Sequence, residues 1–209
     1  MSALGRKLTA GCFAVAGLCF VLYPAIRPFS DEVSLQGASA FGSGAWVISH
    51  SLAIAGFVLL VLGLFGAYLL FQQTRNERLA LVALVTSWIG VGLTLPFYGA
   101  EVFGLHAIGR AALQQKNAGL MSLAADVRGE PGMWFIVAGL VLLGVGTIVF
   151  AVAVWRSGIF VRWSAIPLAL GFALYVPQFF APQALRVAHG LLVAVGCGLV
   201  AWSLLASRR

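Results

Sequence analysis

The chain has 209 residues, of which 61% are hydrophobic and only 9% charged, and its mean hydropathy is +1.01; a soluble domain carries about 25% charged residues. A water-soluble domain is therefore excluded, and the net charge of +7 must be judged by where the basic residues sit before it is read as a nucleic-acid signal. A hydrocarbon core of roughly 30 Å takes about 20 helical residues to cross, so the length predicts an all-α bundle of six transmembrane helices in one domain, 1–209.

The first apolar run, about 8–27, follows Arg6 and Lys7. Leu8 to Cys12 imitates a lipoprotein cleavage box, but almost no hydrophobic region precedes Cys12 and a full apolar run follows it, which predicts an uncleaved first span. A loop with Pro28, Asp31 and Glu32 leads to the second run, 44–71, which carries Trp46, Ser49 and His50 near its start. After the charged link 72–78, the third run, 79–105, holds Pro96 and the stripe Thr94, Tyr98, Glu101 at helical spacing.

The connection 106–131 has Leu113, Leu120, Met121, Leu123 and Val127 among polar residues, a pattern for a helix lying in the interface. Glu130 and Pro131 are assigned to the start of the fourth span, 132–155. The fifth run, 162–180, is the shortest and is bent by Pro177; the sixth, 184–206, carries Gly190, Ala194 and Gly198 at every fourth position, which permits close helix packing. Cys12, Cys19 and Cys197 lie inside apolar runs without ligand spacing and behave as small hydrophobes.

With the N-terminus inside, the inner segments hold Arg6, Lys7, Arg75, Arg78, Arg156, Arg162, Arg208 and Arg209 against Glu77 alone. The outer ones hold five basic residues (Arg27, Arg110, Lys116, Arg128, Arg186) and five acids (Asp31, Glu32, Glu101, Asp126, Glu130). The whole +7 then falls on one side, which predicts both termini in the cytoplasm and a multi-pass protein of the bacterial cytoplasmic (inner) membrane. The partners implied are membrane lipids rather than nucleic acid.

Glu101 is the one acid inside a span, where an ionisable group needs a partner, a proton or water. His50 and His189 each lie about five residues into parallel spans, roughly 8 Å below the outer edge, and Glu101 reaches a similar level from the opposite direction, with His106 slightly higher. Trp46, Ser49, Arg110, Tyr175, Gln178 and Arg186 fall near the same level, so the outer half is polar at its centre. Ser87, Thr147 and Ser203, in the inner half, can bond their own helix.

These residues support several readings. Together they form a pocket for a small hydrophobic ligand or a metal-type cofactor: a divalent metal on His50, Glu101, His106 and His189, or b-type haem between His50 and His189. On an ideal helix Glu101 and His106 lie about 140° apart, so one ion needs a kink or an unwound end. An intramembrane enzyme acting on a lipid or isoprenoid would use Glu101 as acid or base with Tyr98 and a histidine as partners. A structural or accessory subunit, as a homo-oligomer or in a membrane complex, would pair Glu101 with Arg110 or Arg186, bond the histidines to backbone carbonyls and hold no cofactor, which the same residues fit equally.

The stretch Trp46 to Leu70, WVISHSLAIAGFVLLVLGLFGAYLL, with LPFYGAEVFGLHAIGRAAL in the third span, resembles a loose set of uncharacterised bacterial six-span membrane proteins. The resemblance implies the six-helix fold and draws attention to His50 and Glu101. It carries no reaction with it.

Overall fold

The computed structural model describes residues 1–206, so the basic residues 208 and 209 of the charge count lie outside the described residues. Nine α-helices are formed among them: α1 (Ala3–Ile26), α2 (Leu35–Phe41), α3 (Gly44–Phe71), α4 (Glu77–Gly99), α5 (His106–Gln115), α6 (Leu123–Arg128), α7 (Gly132–Ser157), α8 (Ile166–Ala173) and α9 (Gln183–Ala206). A π-helical turn, Ala100–Leu105, joins α4 to α5 without a break, and short 3-10 turns cover Ala118–Ser122 and Pro177–Phe180. No strand is formed among the described residues.

Helix ends follow local side-chain chemistry. Ser2, Ser34 and Ser43 accept hydrogen bonds from backbone amides in the first turns of α1, α2 and α3, satisfying donors that a helix start leaves open. At the far end of α7, Gly158 takes the left-handed conformation (φ 65°) that stops the helix.

Five helical stretches are long and apolar enough to cross a membrane: Ala3–Ile26, Gly44–Phe71, Glu77–Gln115, Gly132–Ser157 and Gln183–Ala206. The fifth apolar run of the sequence is not a sixth such helix. Only Ile166–Ala173 is α-helical; the chain then turns, and Pro177, which lacks an amide donor, opens a 3-10 turn instead.

This broken segment nevertheless runs antiparallel beside α9. The Val161 amide donates to Ser203 Oγ, Leu168 packs at Gly196, Gly171 lies at Val193, and Arg186 bonds the Phe179 carbonyl. From Ser203 back to Arg186, α9 rises about 26 Å.

Neighbouring elements close into a ring, α1–α3–α4–α7–α8–α9 and back to α1. Small residues allow the closest approaches: Gly190 of α9 faces the backbone of Phe20, and Gly90 of α4 faces that of Gly139 on α7. Ala194 meets Gly17, whereas a Cβ at Gly198 would touch nothing, so the four-residue repeat in α9 is an interface only in part. Aromatic rings fill the ring's centre, with Phe20 edge-on to Phe57 at 5.0 Å and to Phe172 at 5.5 Å.

Of the hydroxyls expected in the inner half, Thr147 bonds the Gly144 carbonyl of its own helix. Ser203 Oγ accepts from the Val161 amide, and Ser87 Oγ finds no partner among the described residues. At the opposite end, α2, α5 and α6 form a cap with its own small core of Phe41, Trp46, Leu105, Ala112, Met121 and Ala124. The connection after the third span is thus largely helical, as its sequence predicts, while α2 was not expected in the preceding loop.

Candidate functional site

The capped end carries a continuous chain of charges. Arg128, on α6, donates from Nε to Glu101 Oε1 at 2.6 Å and from Nη2 to Glu101 Oε2 at 3.2 Å, and its Nη1 reaches Glu32 Oε2 at 2.5 Å. Arg27 then donates to the other Glu32 oxygen at 2.8 Å. Burial works against the Arg128 charge, but the Glu101 hydrogen bonds and charge outweigh it and hold the guanidinium above its ordinary range. Such a two-pronged grip on a carboxylate is the geometry an arginine fork provides.

Local backbone form aims these groups. The π turn contains Glu101 and widens the helix just after Pro96, which changes which residues share a face. Inside that turn the Glu101 carbonyl accepts from Trp46 Nε1 at 2.7 Å, so a buried indole fixes the carboxylate's own backbone. Glu32 stands in the left-handed region (φ 61°), unusual for a residue with a side chain, with Gly37 packed against its backbone. Backbone strain of this kind persists only where surrounding contacts hold it, here the two arginines.

His50 extends the chain by one group. Its Nδ1 lies 2.8 Å from the Trp46 carbonyl and therefore carries a hydrogen, while Nε2 faces Glu101 Oε2 at 3.4 Å. The Tyr23 and Trp46 rings enclose His50, with centroids at 5.2 and 4.2 Å.

The other expected residues are placed differently. His106 Nδ1 bonds the Phe41 carbonyl at 2.9 Å, which ties the cap to α5. His189 Nε2 bonds the Gly171 carbonyl at 2.7 Å, which ties α9 to the broken segment. Tyr98 is buried, and its hydroxyl lies 3.3 Å from that of Tyr175. The structure thus pairs His50 with Glu101 and sets His106 and His189 on backbone carbonyls.

Among the described residues, no group of three or more His, Cys, Asp or Glu side chains is positioned to hold a metal ion, so His50, Glu101, His106 and His189 do not form one ligand set. Tyr98 and Tyr175, with hydroxyls 3.3 Å apart, stand between the two histidines expected to hold haem, Tyr98 beside His50 and Tyr175 beside His189.

Beside the charges lies a cavity of about 480 Å³. Its polar wall includes Arg27, Ser30, Glu32, Glu101, Arg128 and Arg186; its apolar wall is Phe97, Met133, Ile136, Val137, Leu140, Val176, Phe179 and Phe180. Met133, Ile136, Val137 and Leu140 recur at the spacing of one helical face, so the apolar wall follows α7 inward for about 10 Å. Phe180 at its edge is 89% exposed, leaving an apolar residue at the opening.

Sequence reasoning expected Glu101 to pair with Arg110 or Arg186. Arg186 instead bonds the carbonyls of Ala181 and Phe179, and Arg128 takes Glu101. Arg27, Glu32 and Arg128 were seen only as outer charges; the signal that could have found them was the equal number of outer acids and bases.

The fold and this end define a class, a multi-pass helical membrane protein with an ion-paired, half-apolar cavity at one end of its bundle. Compared with known proteins, the chain matches no family model, no curated protein and no solved structure.

Proposed function

We propose that this protein binds a lipid-like amphiphile in the cavity at the capped end, with the polar head toward Arg27, Arg128 and Arg186 and the apolar portion along α7. The observation that carries the reading is the division of one cavity into a charged wall and an apolar wall. A site for a molecule with one wet and one greasy end needs both, and binding cavities commonly combine an apolar lining with a few placed polar groups.

Six crossings belong to the same proposal. The broken segment beside α9 supplies the sixth, because α9 lies antiparallel to α1 and the chain must return from the end of α7 to the start of α9. The basic residues then put both termini in the cytoplasm of a bacterial inner membrane and the cavity in the outer leaflet. A membrane-impermeant thiol reagent on whole cells tests this: Cys introduced at Lys116 reacts, and labelling confined to Cys introduced at Arg75 would reverse the orientation.

Glu101 serves this function as a fixed counter-charge rather than as an acid or base, since Arg128 occupies both of its oxygens. Tyr98, the other residue of the enzyme reading, likewise has its hydroxyl engaged.

The binding reading is tested by solvent extraction and mass analysis of protein purified in mild detergent. Val137→Trp fills the cavity, and Val141→Trp, one turn away on an exposed face, is the control. Wild type and the control retain an amphiphile that Val137→Trp lacks. Equal retention by all three would remove the cavity as the binding site.

A further inference from the structure

We infer that the cavity selects an amphiphile whose head carries a single negative charge on an oxyanion, held between Arg27 and Arg186; this inference rests on the amphiphile reading above. Both guanidinium groups lie over the same ring, Phe29, with Arg27 at 4.6 Å and Arg186 at 5.2 Å from its centroid. Two like charges share one aromatic ring there. Of the cavity's five charged side chains, three are arginines and two are carboxylates, which leaves one positive charge without an acid.

Arg186 is where that charge resides. Its Nε and Nη2 donate to the carbonyls of Ala181 and Phe179, which orient the guanidinium but bring no negative charge. Glu101 and both oxygens of Glu32 are already committed to Arg128 and Arg27. In surroundings of low dielectric an uncompensated cation beside another cation is costly, and an anion from the ligand removes the cost.

A second observation points the same way. Arg27 is 8% exposed, and its Nε has no hydrogen-bond partner among the described residues; neither has the buried Oγ of Ser30. Arg27, Ser30 and Arg186 all line the cavity. Buried donors of this kind are ordinarily paired, so two unpartnered donors beside a surplus cation suit an oxyanion acceptor. Carboxylate and phosphodiester heads both supply one; the apolar wall along α7 favours the phosphodiester of a membrane lipid over a free inorganic anion.

The test uses the whole protein in nanodiscs of equal parts phosphatidylglycerol and phosphatidylcholine, with retained lipids counted by native mass spectrometry. Wild type keeps one phosphatidylglycerol in preference to phosphatidylcholine. Arg186→Gln lowers that preference about tenfold, the loss expected for one charge-assisted contact, while Arg186→Lys, which keeps the charge, retains most of it. Ser30→Ala, a mild change, lowers it less.

Retention of a lipid without headgroup preference, with loss of that lipid in Val137→Trp, would overturn the anion inference and leave the amphiphile reading standing. Retention of no lipid by wild type would overturn both. Protection against heat by inorganic phosphate alone, lost in Arg186→Gln and unaccompanied by lipid, would keep the oxyanion and overturn the membrane lipid as its source.

Discussion

Arg128 grips both oxygens of Glu101 from 27 residues further along the chain, at 2.6 and 3.2 Å, and reaches Glu32 with its remaining nitrogen. This ties the cap helix α6 to the π turn and to the loop after α1. Removing either partner strands a buried charge, so Arg128→Gln or Glu101→Gln alone lowers stability by about 3 kcal/mol. The double variant costs less than the sum of the two by at least about 1 kcal/mol. Denaturant unfolding in bicelles measures the cycle, and additive losses would show that the pair is not coupled.

Trp46 is fully buried and supplies the indole donor to the Glu101 carbonyl. Trp46→Phe keeps most of the packing and leaves that carbonyl short of a partner, a loss of about 1–3 kcal/mol. The same unfolding measurement, joined to amide exchange across residues 100–105, checks it. Unchanged exchange there would mean that the indole does not hold the π turn.

Gly139 and Gly198 have opposite expectations for the same substitution. A Cβ at Gly139 would press on the backbone of Gly90 and Thr94, forcing α4 and α7 apart, whereas one at Gly198 would meet nothing within 4 Å. Gly139→Ala therefore destabilises by about 1–3 kcal/mol, and Gly198→Ala is neutral or stabilising by up to about 1 kcal/mol. Melting temperatures of the two variants decide it, and the same sign for both would contradict the packing described.

Asp31 gives a pH dependence. The Ser34 amide, then the Val33 amide and the Ser34 hydroxyl, hold its carboxyl below the usual range. A carboxyl depressed in the folded state contributes stability above its unfolded value, about 3.9, and loses it as pH falls through the lower folded value. Protection factors of the Gln36 and Gly37 amides, capped by Ser34, thus hold steady above about pH 4 and drop below it. Asp31→Asn abolishes the step; a wild-type step elsewhere in pH would assign it to another group.

Much of the bundle was legible in the sequence because apolar length alone signals a membrane helix, and all five long helices fall on predicted runs. Hydropathy does not report whether a run is one helix, so 162–180 reads as a span, the shortest and bent at Pro177, although only Ile166–Ala173 is α-helical and the chain turns after it. The seven-residue α2, rich in Gly, Ala and Ser, has too few apolar turns to register, and its signal was the Ser34 cap. At the site, the interior stripe of Thr94, Tyr98 and Glu101 was readable from helical spacing, and all three are buried. The partner of Glu101 was not, because Arg128 arrives through a folded cap and sequence distance ranks no arginine above another. One ring nitrogen of each histidine goes to the Trp46, Phe41 or Gly171 carbonyl, which spacing does not encode.

The central claim is that an amphiphile occupies the cavity between the charge chain and α7. Photolabelling in native membranes with a lipid bearing a photoreactive group on its acyl chain, followed by peptide mapping, tests it most directly. The account predicts labels at Met133, Val137 and Val176 to Phe180, abolished at those positions by Val137→Trp. Labelling spread over outward residues such as Leu62, Val145 and Leu191, with none on the cavity wall, would contradict it.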